Sequence, residues 1–169
     1  LVAAFSLLAL ASCASTRETV TASGSAPVEI HILAINDFHG NLEPPSSGGK
    51  VFNPATPREW GMVPAGGAPR LATAVAQLVA RNPANTIMVA AGDLIGASPL
   101  LSSLFHDEPT IESMSRMGLA LTSVGNHEFD EGWQELRRMQ TGGCHPVDGC
   151  KGPAQFKGAE FQYLAASTY

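Results

Sequence analysis

An α/β domain with an open, mainly parallel sheet is the fold class predicted by the 169-residue sequence, on three grounds. Short strand-like apolar runs alternate with segments of helical periodicity. The first three runs each stop abruptly at a polar cluster, as strands do where an α/β sheet presents its ligand crevice. Composition agrees: 44% apolar residues and a mean hydropathy of +0.06 suffice for one buried core and exclude intrinsic disorder as the main state. The 17 Gly and 12 Pro favour long shaped loops over a helical bundle.

The elements follow in chain order. Leu1 to Ala11 (LVAAFSLLALA) is an uncharged apolar stretch, too short for the ~20 residues that span a bilayer. Without an initiator Met or a basic start, residues 1–12 read as a signal peptide entered partway. Leu10-Ala11-Ser12-Cys13 resembles a bacterial lipobox, which would make Cys13 a lipidated first residue of the mature protein. Ala9-Leu10-Ala11 is also a cleavage site for the general signal peptidase, and an uncleaved anchor is a third reading. Residues 13–27, rich in Ser, Thr and Ala, form a flexible tether, and the folded part spans 28–169. The expected location is the periplasm or cell envelope, with membrane contact only through a lipid at Cys13.

Val28 to Asn36 (VEIHILAIN) alternates at 28, 30 and 32 and then turns continuously apolar, as a strand entering a doubly covered sheet would. Asp37 to Ala68 is a loop long enough to be functional or mobile. In Pro69 to Arg81, Leu71, Ala74, Val75, Leu78 and Val79 share one helical face, with Pro in the first turn and Asn82-Pro83 as the stop. Thr86 to Ala91 is the second strand. Glu108-Pro109 opens a helix carrying Ile111, Met114 and Met117 and closed by Gly118. Leu119 to Val124 is the third strand, Glu131 to Gln140 a helix that Asp130 could cap, and Phe161 to Ala166 a fourth strand.

Cysteine usage fits an exported chain. With Cys13 set aside, Cys144 and Cys150 bracket a turn-rich segment short enough for the ~6 Å Cα separation of a disulfide. The competing reading, a metal site of Cys144, His145 and Cys150, lacks the fourth ligand of a structural zinc site. His31, His106 and His145 read as solvated, and Trp60 and Trp133 as packing or loop anchors. A net charge of −5, from 10 Lys+Arg against 15 Asp+Glu with no basic run, argues against a nucleic acid polymer as partner.

The chemistry lies in the clusters after the strands: Asp37-x-His39, Gly92-Asp93 and Gly125-Asn126-His127-Glu128-Phe129-Asp130. Parallel neighbouring strands would bring all three to one sheet edge. Hard oxygens and imidazole nitrogens suit divalent ions, and two such ions about 3.5–4 Å apart can polarise a phosphoryl group. Singly, Asp-x-His and Gly-Asp are weak signals, since both occur in ordinary turns. Their order, each at the end of a strand-like run, is the stronger sign.

That order resembles the first three motifs of the calcineurin-like metallophosphoesterases. Gly66-Gly67 before Arg70-Leu71-Ala72, Gly96-x-Ser98-Pro99-Leu100 and Asn126-His127-Glu128-Phe129-Asp130 are similar to the N-terminal domain of the secreted 5′-nucleotidase family. The resemblance implies the N-terminal part of a four-layer αββα fold and two divalent metal ions (Zn, Mn, Mg or Co). It implies Asp37 and His39 as ligands of the first ion, Asp93 as bridge and Asn126 as ligand of the second. His127 would be the catalytic histidine, with Asp130 as its partner.

The implied reaction is hydrolysis of a nucleotide or other small phosphoester, a nucleoside monophosphate giving nucleoside and phosphate, by in-line attack of a metal-activated water. Alternatives within the family are 2′,3′-cyclic nucleotide phosphodiesterase and UDP-sugar hydrolase. A non-catalytic lipoprotein that binds metal or nucleotide is an alternative from another class. The family's downstream histidine ligands and C-terminal nucleotide-binding domain have no match in this sequence, so the 169 residues by themselves are expected to be an inactive part of an active enzyme.

Overall fold

Helical segments between strands allow crossover connections, and the main sheet they build is parallel throughout. The computed structural model describes residues 26–52, 60–166 and 168; the expected signal segment, Cys13 and nearly all of the tether fall outside them. The four-stranded sheet has the order β1-β4-β5-β6, with β1 His31–Ile35, β4 Thr86–Ala90, β5 Leu119–Ser123 and β6 Gln162–Leu164. His31 to Ile35 pair in step with Thr86 to Ala90, and an irregularity between Met88 and Val89 shifts the register against β5. The α/β class with a parallel sheet is thus the observed one.

The helices α1 (Ala68–Val79), α3 (Glu108–Arg116) and α4 (Trp133–Thr141) lie close to their predicted spans. Pro sits in the first turn of α1 and α3, where its missing N–H costs nothing. Gly118, at φ +80°, follows the end of α3. All three pack on one face of the sheet. Val75, Ile111, Met114 and Met139 meet Met88, Ala90, Leu119 and Phe161 in a single core, joined at its margin by Leu33, Ile35 and Tyr163. Buried Arg138 ties α4 to α3 through Glu108 (2.5 Å), and it also bonds Glu135 of its own helix (2.7 Å) and the Gly143 carbonyl (2.8 Å).

Three expectations are corrected. The first concerns the facing of β1. The alternation at 28, 30 and 32 marked these residues as the inward face, yet Val28, Ile30 and Ile32 are 65–70% exposed, and Leu33 and Ile35 point to the core. Among the described residues nothing covers the second face, where Ile32, Ile87 and Leu164 are open to solvent. The layers among the described residues are therefore one of helices and one of sheet.

The second correction concerns the long loop, which holds an antiparallel hairpin of β2 (Gly49–Phe52) and β3 (Trp60–Val63). Its strands are only four residues long, too short for alternation to mark them, and a four-residue α2 (Leu100–Ser103) is likewise too short for periodicity to reveal. The third is the pair of tryptophans. Trp60 (57% exposed) meets Phe52 edge-on and Lys50 Nζ at 5.3 Å within the hairpin, and Trp133 is 60% exposed, so neither packs in the core and Trp60 alone keeps its place as a loop anchor.

Candidate metal centre

The carboxyl ends of β1, β4 and β5 lie side by side, and their loops are laced together by backbone bonds. Asp37 N–H donates to the Gly92 carbonyl (3.2 Å), His39 N–H to that of Asp93 (3.0 Å) and Gly40 N–H to that of Leu94 (3.0 Å). Asp37, His39 and Asp93 all adopt the left-handed backbone region, at φ 51°, 45° and 49°. Each such non-glycine residue costs about 1–2 kcal/mol, a strain that functional sites commonly hold.

These loops bring three of the sequence-predicted ligands together. His39 Nε2 stands 3.8 Å from Asp37 Oδ1 and 4.0 Å from Asp93 Oδ2. His39 Nδ1 donates to the Gly96 carbonyl at 2.9 Å, which leaves the Nε2 lone pair free toward the two carboxylates. Asn36 Nδ2 donates to the other oxygen of Asp37.

His127 joins from the third loop. Its ring meets that of His39 edge-on, with centroids 4.9 Å apart, and one ligand atom each from His39, Asp93 and His127 lies within 4.8 Å of the others. The His127 N–H donates to Asp93 Oδ1 (3.0 Å), which sets the Asn126–His127 peptide against that carboxylate. Asn126 itself is exposed at the head of a short 3-10 turn, His127–Phe129. Asp130 does not cap the following helix, which begins at Trp133 after Gly132. Its Oδ2 instead accepts from His127 Nδ1 at 2.8 Å. That hydrogen bond holds the imidazole above its ordinary pKa; desolvation opposes it, and the negative charges of Asp130, Asp93 and Glu128 reinforce it.

Two supporting residues had no role assigned from sequence. Glu128 is buried, and its carboxylate accepts the backbone N–H groups of Asp93 (2.9 Å), Leu94 (2.8 Å) and Gly125 (2.5 Å). It clamps the second loop to the third. No local signal could reveal this, because its partners are backbone amides of a distant segment. Gly96, at φ +79°, orients His39 through its carbonyl, and a Cβ there would come within 2.7 Å of His127. Gly125 passes so near Asp93 that a side chain would collide with its carboxylate.

A disulfide joins Cys144 and Cys150, so the alternative metal site using both thiolates is not formed. His106 and His145 are not solvated singly as expected: their rings stack at 3.8 Å, and both side chains are largely buried. His31 is half-buried beside Glu29. No helix among the described residues is long and apolar enough to cross a membrane.

Comparison with known proteins gives a consistent set of relatives. Residues 30–157 match the calcineurin-like phosphoesterase family. The "uncharacterized protein in pqq-V 5′ region" of Acinetobacter calcoaceticus is 49% identical over 141 residues, 82% of this chain and 69% of that protein. Endonuclease YhcR of Bacillus subtilis is 37% identical over 142 residues, covering 83% of this chain and 11% of its own length. A probable 5′-nucleotidase of Treponema pallidum is 33% identical over 118 residues, 69% of this chain and 18% of that protein. Among solved structures, the NAD nucleotidase of Haemophilus influenzae superposes with a TM-score of 0.56 at 29% identity, covering 66% of this chain and 18% of its own. The chain thus spans most of the Acinetobacter protein and less than a fifth of the other three.

Proposed function

Because the chain belongs to the calcineurin-like phosphoesterase family, we propose that it carries the metal-binding sheet edge of a hydrolase that releases phosphate from nucleotides, in the manner of a 5′-nucleotidase. The observation that carries this reading is the convergence of Asp37, His39, Asp93 and His127 from three strand ends, with the His39 tautomer fixed so that Nε2 faces two carboxylates. That donor set fits divalent cations. Asp37, His39 and Asp93 would hold the first, and Asp93 with Asn126 would begin the shell of the second. Bound there, the cations would supply Lewis-acid polarisation of the phosphoryl group and an activated water.

The protein's own part is positioning and charge. With Nδ1 engaged by Asp130, His127 presents Nε2 to the cleft, and the hydrogen bond that raises its pKa favours the protonated ring. A proton at Nε2 can be donated to a phosphoryl oxygen, or to the ester oxygen that departs with the nucleoside. Glu128 holds the Asp93 loop in register, so the carboxylates need little reorganisation when substrate arrives. The disulfide supports an oxidising, exported setting, as Cys13 lipidation in the cell envelope would require.

A second reading, phosphodiester cleavage, draws support from the 37% identity to a protein named as an endonuclease. The acidic balance of this chain weighs against a polymeric substrate. The test is phosphate release with added Mn²⁺ or Co²⁺ by the protein carrying this chain in its whole reading frame, assayed on AMP, 2′,3′-cyclic AMP and plasmid DNA. Turnover of AMP that disappears in His127→Ala, with the fold intact, is expected. Equal turnover in that variant, or hydrolysis of DNA alone, would reject the nucleotidase reading.

A further inference from the structure

A second group of metal-ligating side chains shares no member with the first, although His106, Glu131 and Glu135 line a cavity together with His127 and Asp130. His106 follows α2, Glu131 and Glu135 flank the start of α4, and His145 lies in the disulfide loop. One ligand atom of each falls within 4.8 Å of all the others. We propose that His106, Glu131, Glu135 and His145 form a separate site for a single divalent transition-metal ion of the zinc class.

The strongest argument is the way His106 is held. Its Nε2 donates to Asp148 Oδ2 at 2.9 Å, which turns Nδ1 toward Glu131 Oε2 at 3.5 Å. An imidazole backed by a carboxylate on its far nitrogen is the arrangement that fixes histidine ligands at metal sites. The hydrogen bond from His106, and after it the charge of Lys151, holds the Asp148 carboxyl below its usual pKa, so it stays an acceptor.

The remaining geometry agrees. Glu131 Oε2 also lies 4.0 Å from His145 Nε2, so one carboxylate oxygen marks the point on which both rings converge. Around a tetrahedral ion with bonds of ~2.0–2.1 Å, neighbouring ligand atoms stand about 3.3 Å apart, so the four must draw in from their present spread of up to 4.8 Å. His106, His145 and Glu135 are 12–16% exposed at their side chains, while Glu131 at 53% leaves an entry path. Glu135 is already bonded to Arg138, but a carboxylate has about four lone-pair positions and can serve both.

Binding requires a local rearrangement. The two rings now stack in near-parallel planes, 6° apart, and His145 Nδ1 accepts the Asp148 N–H at 3.1 Å. Coordination through His145 Nε2 shifts its proton to Nδ1, breaks that hydrogen bond and splays the stack. The Cys144–Cys150 loop therefore changes on loading.

Cobalt(II) titration of the whole chain, followed by ligand-field absorption and proton NMR, tests this independently of the hydrolase reading. The His106→Gln/His145→Gln double variant should bind one equivalent fewer than the parent, whereas Asp93→Asn, which strikes the first centre, should retain that equivalent. In the parent the ring protons of His106 and His145 should acquire paramagnetic shifts, a readout that stands even if the double variant does not fold. Absence of those shifts, or equal stoichiometry in the parent and a folded double variant, overturns the proposal.

Discussion

At the scale of single residues, the candidate centre is held by groups that contribute no ligand of their own. Glu128 is the clearest case, since one buried carboxylate serves three backbone donors from two loops. Its replacement by Ala leaves those amides unsatisfied, and urea unfolding should show a loss of about 3 kcal/mol or more. The His127–Asp130 pair gives a second prediction. The raised pKa of His127 means that its bond to Asp130 stabilises the fold fully below the ordinary histidine value and less as pH rises through the raised one. In the metal-free protein, Asp130→Asn should lower the His127 titration midpoint toward the ordinary value, as read from its ring-proton shifts. An unchanged midpoint would remove Asp130 as the cause. The polar clusters that mark this edge were readable in the sequence because each breaks an apolar run. Glu128 and Gly96 were not, because their work is done on backbone groups far along the chain.

At the scale of elements, period and punctuation located α1, α3, β4 and β5, since each has an apolar face in the core and a Pro or Gly at an end. They failed for the β2–β3 hairpin, whose four-residue strands are too short to write a period into the sequence. They also misread the facing of β1, where Val28, Ile30 and Ile32 are as apolar as the residues that pack inward. β6 carries an unresolved polar group. The Tyr163 hydroxyl is buried without a partner, and burial, with the charges of Glu128 and Asp107, pushes its pKa well above the usual phenol value. Removing an unpaired buried hydroxyl while keeping the ring relieves a desolvation cost, so Tyr163→Phe should stabilise the chain by about 1 kcal/mol in thermal or denaturant unfolding. A loss of stability would mean that the hydroxyl has a partner after all.

At the scale of the whole molecule, the dominant feature is a parallel sheet that, among the described residues, is covered on one side. Such sheets are ordinarily covered on both faces. Here Ile32 is 68%, Ile87 37% and Leu164 52% exposed, forming an apolar patch that mixed solvent contact does not favour. The isolated chain is therefore expected to self-associate through this face. Ile32→Lys with Ile87→Thr should shift it toward monomer in light scattering after size-exclusion chromatography, at a stability change within about 0.5 kcal/mol per site. The α/β class was evident from the alternation of runs. The open face was not, because an apolar residue looks the same in sequence whether or not something lies on top of it.

The strand order has a temporal consequence. β1 pairs with β4, and a hairpin and a helix must be threaded between them before that pairing is rewarded. Such distant closures are slow steps in folding. Asp37 and His39 leave β1 early in synthesis but gain Asp93 as a neighbour only when β4 docks. The ability to chelate should thus arise in one late kinetic phase, and a nascent chain ending before β4 would emerge with no grip on an ion.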